Sequence, residues 1–133
     1  MRPIPLNQRE IIDQERDTFG SCILCSRHPE IDHVFLFARK QIAELWNYVP
    51  ICTRHHRTGD MSKMSNSIIR EAVELNCLLG EVYKNNLCTA HGVDYKPISW
   101  YNKTGFYTQH LKYLLGKREE INAYLSDHNL KNV

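Results

Sequence analysis

Two pairs of residues, Cys22-x-x-Cys25 and Cys52-x-x-His55, have the spacing at which a tight turn brings two side chains onto one metal ion. Zinc takes thiolate and imidazole ligands at tetrahedral corners, and the two pairs supply four such ligands with little chain strain. Sites of this kind bind with an apparent free energy on the order of 10–16 kcal/mol in small peptides, more than the few kcal/mol that a small core leaves over. Structural zinc is therefore expected to hold residues 20–60 in shape. A second Cys-x-x-His, Cys88 to His91, could also complete the set with Cys22 and Cys25. Cys52 and His55 are preferred because they lie close by, at an expected strand-to-helix turn. Burial accounts for Cys77, and a buried thiol beside a surface histidine accounts for Cys88 and His91. The cysteines number five, and the first residues lack the apolar run of a signal peptide, so a disulfide framework is not expected.

Zinc does not explain Asp32, His33, Asn47 and His56, which lie between and beside the two pairs. Taken singly, a His beside an Asp on a strand is more often a structural hydrogen-bonded pair, and an Asn before a strand a turn residue. Together they are the side chains that phosphodiester hydrolysis needs. A neutral His near the phosphorus can accept the proton of an attacking water, typically worth ~10²–10⁴-fold in rate. A carboxylate and an imidazole can hold a divalent cation against the charge that builds on the phosphate and the leaving oxygen. Asp32 and His56 are the pair for that cation, which leaves His33 as the base.

In this order, Cys22-x-x-Cys25, Asp32-His33-Val34, Asn47 and Ile51-Cys52-x-x-His55-His56 resemble the HNH endonuclease family, in particular its zinc-bearing, phage-type members. The resemblance covers about residues 16–60. It implies a ββα-metal (His-Me) finger, two strands and a helix that clamp one catalytic Mg²⁺ or Mn²⁺. It also implies that His33 is the general base, that Asp32 and His56 hold the catalytic ion, and that Asn47 braces the intervening loop. The partner would be DNA, cut one strand at a time, and a homodimer would place two such cuts together. His55 stands where the family carries a fourth Cys, so either His55 or His56 could serve zinc; the spacing from Cys52 favours His55. The loop between His33 and Asn47 also lacks the family's glycines. A non-catalytic zinc finger binding nucleic acid or protein is the alternative reading.

The elements that must position these residues follow from local pattern. Asn7 and Glu10 have capping-box spacing for a helix over residues 8–17. Residues 31–37 and 48–51 read as short strands, and Cys52 opens a helix that Gly59 ends. Residues 38–46 fit either a loop or a short helix. Apolar residues recur at three- and four-residue spacing from 67 to 84, where Asn85 and Asn86 should end a helix, and residues 107–126 form another that Gly116 interrupts. The expected fold is α+β: a zinc-stabilised ββα-metal module over 1–60 with an N-terminal helix, then a helical extension over 61–133 serving the same compact domain, a dimer interface or DNA contacts.

At 133 residues there is room for one domain, and no run approaches the ~18 apolar residues of a membrane span. The expected location is the cytoplasm, that of a bacterial host if the chain is phage or prophage encoded. A net charge of +2 gives only weak support for nucleic-acid binding, so phosphate contacts would fall to local clusters, Arg39 with Lys40 and Arg54 with Arg57. Trp100, Tyr101, Phe106, Tyr107 and Tyr113 could stack on bases, but their near-helical spacing assigns them to the core.

Overall fold

Asn66 starts the longest of the described helices. In the computed structural model, which describes residues 3–133, its side-chain oxygen accepts hydrogen bonds from the backbone N–H groups of Ile68 and Ile69, at 3.0 and 3.1 Å. A first helical turn has no carbonyls for these groups, so a cap of this kind decides where the helix begins. The helix, Ser67–Leu79, buries Ile69, Ala72, Val73, Leu75 and Leu78 along one stripe. It ends at Gly80, short of the 67–84 expected. A side chain at Gly80 would crowd the Asn76 carbonyl at 3.2 Å, and the chain turns there into a further helix, Glu81–Ala90. Asn85 and Asn86, expected as terminators, lie within that second helix. Asn85 is held there by a 3.2 Å bond to Glu81 one turn earlier.

In chain order the helices are α1 (Leu6–Gln14), α2 (Arg16–Phe19), α3 (Thr53–His56), α4 (Ser67–Leu79), α5 (Glu81–Ala90), α6 (Ile98–Tyr101), α7 (Phe106–Gly116) and α8 (Arg118–Asp127). Gly116 separates the last two, as expected. The first helix starts earlier than residue 8 because Pro5, its φ already set near −55°, occupies the capping position and its carbonyl accepts from Gln8 and Arg9. No side-chain cap from Asn7 forms.

Among the described residues, four strands make two antiparallel ladders. β1 (Glu30–His33) pairs with β4 (Tyr48–Ile51) in the register Glu30↔Ile51, Asp32↔Val49 and His33↔Tyr48. β2 (Leu36–Phe37) and β3 (Lys40–Gln41) form a small hairpin between them. The single strand expected over 31–37 is thus split. The side-chain amide of Asn47 accepts from the Phe35 N–H at 2.8 Å and donates to its carbonyl at 3.0 Å, so Phe35 has no N–H to give to a ladder, while its carbonyl also accepts from the Ile42 N–H at 3.4 Å. The β2–β3 turn is Ala38 and Arg39, both at positive φ (51° and 67°), a two-residue geometry usually given to Asn-Gly or Gly-Gly.

The two faces of the β1–β4 ladder serve two apolar clusters. Tyr48 packs with Ile11, Ile12, Phe19, Leu45 and Cys88. Val49 and Ile51 face a larger cluster that draws Leu24 and Trp46 together with Ile69, Leu75, Leu114, Ile121 and Leu125, so residues on both sides of position 60 share one core. Between α5 and β4 the buried Lys84 donates to the Tyr48 and Trp46 carbonyls. Burial lowers its pKa. No described helix is long and apolar enough to cross a membrane.

Asn66 also donates to the Tyr124 hydroxyl at 2.8 Å, tying the start of α4 to α8. Asn66→Ala should therefore cost about 1–2 kcal/mol, at the upper end of cap losses. Urea denaturation of the zinc-loaded protein measures it.

Candidate metal centre and adjoining cluster

The turn after Cys22 is tightened by its own backbone. Cys22 donates to the Arg27 carbonyl at 2.9 Å, Ser26 donates back to the Cys22 carbonyl at 3.1 Å, and Ser26 takes the left-handed conformation (φ 66°). The Leu24 N–H points at the Cys22 sulfur at 3.4 Å. The second pair sits where β4 becomes α3, with Cys52 at the helix cap and its carbonyl accepting from His55 and His56 at 3.1 and 2.8 Å. The outcome is that ligand atoms of Cys22, Cys25, Cys52 and His55 all lie within 4.8 Å of one another.

The separations fit zinc. A tetrahedron with Zn–S bonds of ~2.3 Å and Zn–N of ~2.0 Å has edges of roughly 3.5–3.8 Å. Cys25 and Cys52 sulfurs are 3.5 Å apart, and His55 Nδ1 is 3.3 Å from Cys52 Sγ and 4.0 Å from Cys22 Sγ. Protonation points the same way. Burial, followed by the charges of Arg54 and Arg27, lowers the pKa of His55 and keeps it the neutral imidazole a ligand must be. Burial pushes the Cys25 thiol up to about 11. Burial also raises Cys52, but hydrogen bonds, first from the His55 backbone N–H and then from the neighbouring thiols, more than offset it and bring it below the usual value. The protein alone therefore does not ionise Cys25, and a cation must displace its proton to close the site.

His56, next along the chain, faces elsewhere. Its Nδ1 meets Glu30 Oε1 at 2.5 Å and its Nε2 meets Asp32 Oδ1 at 3.2 Å. The second oxygen of Asp32 accepts from Lys63 Nζ at 2.6 Å, and Glu30 also accepts from Arg57 at 3.1 Å. Burial pushes the Asp32 carboxyl up, but the His56 hydrogen bond and then Lys63 bring its pKa below the usual value. The Asp32 hydrogen bond raises the pKa of His56, against burial and with help from Glu30. His56 and Asp32 thus favour a charge-assisted bond, and a divalent cation taking Asp32 and His56 must expel the imidazole proton and compete with the Lys63 ammonium.

Asp32 and His56 are brought together, and His33 is not with them. Side chains alternate along a strand, so Glu30 and Asp32 leave β1 on one face while His33 leaves on the other. There its ring, 5% exposed, meets Tyr48 edge-on at a centroid distance of 4.7 Å. Asn47, fully buried, adds a 3.0 Å bond to the Ile42 carbonyl to those with Phe35, and its own carbonyl accepts from Val34 at 3.0 Å, so it spans the whole hairpin that follows His33. The basic candidates fall on two elements: Arg39 and Lys40 at the β2–β3 turn, Arg54 and Arg57 at α3 and its end, all exposed. Cys88 is buried within the Tyr48 cluster, and His91 pairs with Glu15 at 3.0 Å.

Glu30 and Lys63 are the members that sequence reading passed over. Glu30 had a usable signal, since it stands two residues before Asp32 on a strand and so shares its face. Lys63 had none: it lies between α3 and α4 and comes into place because its N–H folds back onto the His55 carbonyl at 2.8 Å. Comparison with family models, curated proteins and solved structures returns no match.

Cys52→Ser should abolish stoichiometric zinc binding and lower the melting temperature, read by metal analysis and calorimetry on the same sample. If Asp32 and His56 take a divalent cation, Lys63→Met should tighten Mn²⁺ binding there about tenfold in calorimetric titration of the zinc-loaded protein, since a neighbouring cation is worth on the order of one pKa unit to a carboxylate.

Proposed function

We propose that the chain is a metal-dependent DNA endonuclease of the HNH type, with β1, β4 and α3 as its ββα-metal finger. The observation that carries this reading is the placement of Asp32 and His56 in contact beside, yet separate from, a Cys₃His cluster. A zinc module needs no buried carboxylate–imidazole pair next to its ligands, whereas phosphodiester hydrolysis does. In this reading Asp32 and His56 hold Mg²⁺ or Mn²⁺, which when bound supplies positive charge to the phosphate and the leaving oxygen. Glu30 bonds His56 Nδ1 and so turns Nε2 toward Asp32, the usual task of a carboxylate behind a metal-binding imidazole. Asn47 fixes the hairpin after β1, and His33 at the end of that strand accepts the proton of the attacking water. Zn²⁺ holds Cys22, Cys25, Cys52 and His55 and has no part in the chemistry. Arg39, Lys40, Arg54 and Arg57 meet the DNA backbone, and a homodimer would make paired cuts.

One observation favours the second reading, a zinc finger that binds nucleic acid or protein without cleaving it. His33 is enclosed against Tyr48, so service as a base requires the ring or its covering hairpin to move outward.

Nicking of plasmid and branched DNA with Mg²⁺ or Mn²⁺ separates the two. His33→Ala, matched to wild type in zinc content, should cut ~10²–10⁴-fold more slowly. Equal behaviour of the two proteins, cleaving or not, removes the enzyme reading.

A further inference from the structure

Trp100 was expected in the core, yet it is 43% exposed on α6. Its surroundings are aromatic and basic. Lys96 and Lys103 place their ammonium groups 4.1 and 4.7 Å from its ring centroid, and Tyr101 and Phe37 flank it at 4.9 and 6.3 Å. Phe37 belongs to the β2–β3 hairpin, whose turn carries Arg39 and Lys40. Among the described residues, none of these four cations is in an ion pair.

The patch is anchored from beneath. Trp46, wholly buried, donates its indole N–H to the Lys96 carbonyl at 2.9 Å. Glu44 accepts from the Lys96 N–H at 3.0 Å and the Tyr101 hydroxyl at 2.8 Å. A groove of about 360 Å³ runs beside it, lined by Phe37, Lys40, Glu44 and Tyr101 among others.

We propose that this surface is a stacking platform for an unpaired base of DNA, with Trp100 against the base and Lys96, Lys103, Arg39 and Lys40 on the flanking phosphates. The proposal rests on the nuclease reading for its choice of DNA. A flat exposed ring among unpaired cations matches a chain that alternates flat bases with anions. An acidic peptide would use the cations and leave the ring idle. In an intact duplex each base face is covered by its neighbour, so the platform selects single-stranded or branched sites. On binding, the lysines leave the ring for phosphate and the base takes their place.

The test uses the full zinc-loaded chain without Mg²⁺ or Mn²⁺, titrated with oligo(dT) and with blunt duplex while tryptophan emission is followed. The chain has two tryptophans, and Trp46 is buried, so a change on binding reports Trp100. Single strands should quench the emission, and Trp100→Ala should weaken single-strand binding about 10–100-fold with far less effect on duplex. Trp100→Phe, which keeps a flat ring, should retain most of the affinity. Lys96→Ala with Lys103→Ala should lower the salt slope of single-strand binding by about 1.4. Wild type that binds duplex, and nicks it once Mg²⁺ or Mn²⁺ is added, while single strands leave its emission unchanged overturns the platform alone, as does Trp100→Ala that binds single strands like wild type. Wild type that binds neither form overturns the platform and the nuclease reading together.

Discussion

One end of the β1–β4 ladder is closed by the four-ligand cluster. Cys25 lies a few residues before β1, and Cys52 directly follows β4, so drawing their sulfurs to 3.5 Å sets which residue of one strand meets which of the other. That register is what the adjoining cluster depends on. Shifting it by one residue would send Glu30 and Asp32 to the face now held by Ile31 and His33, away from His56. The metal centre and the carboxylate–histidine cluster are thus mechanically one device, joined through four residues of strand.

The adjacent histidines show how environment, and not residue type, assigns a role. His55 is biased toward neutrality by burial and by the positive charges of Arg54 and Arg27. His56 is biased toward protonation by Asp32 and Glu30. Successive positions on a helix point about 100° apart, enough for one imidazole to enter a sulfur cluster while the next meets two carboxylates. Of the two, the structure places His55 at the Cys₃His cluster and His56 against Asp32 and Glu30.

What could be read beforehand was whatever depends on near neighbours. The two ligand pairs follow from three-residue spacing, β4 from its β-branched and aromatic content before the helix cap, and the α7–α8 break from Gly116. Features set by distant partners could not be read. Phe35 leaves its ladder because an amide twelve residues away takes its N–H and shares its carbonyl. Ala38 and Arg39 accept left-handed backbone without glycine because the hairpin is braced by the same Asn47. Trp100 faces outward although its spacing suited a core, and it is its neighbour Tyr101, with Tyr107, that packs against the buried Trp46. Phe106 and Tyr113 are likewise half exposed, the first stacked on His110 and the second bonded to Glu71.

Lys131 donates its N–H to the Leu24 carbonyl at 2.9 Å and its ammonium to the Cys22 carbonyl at 3.3 Å, across 109 positions of chain in the second case. In chain order all four residues of the Cys₃His cluster, 22 to 55, precede this clasp. The cluster can therefore assemble before the clasp, while Leu24, Val49 and Ile51 stay uncovered until α4, α7 and α8 follow. An ion held there would shield the thiols from oxidation over that interval, and Lys131, which follows α8, can fasten the turn only after that helix has been made.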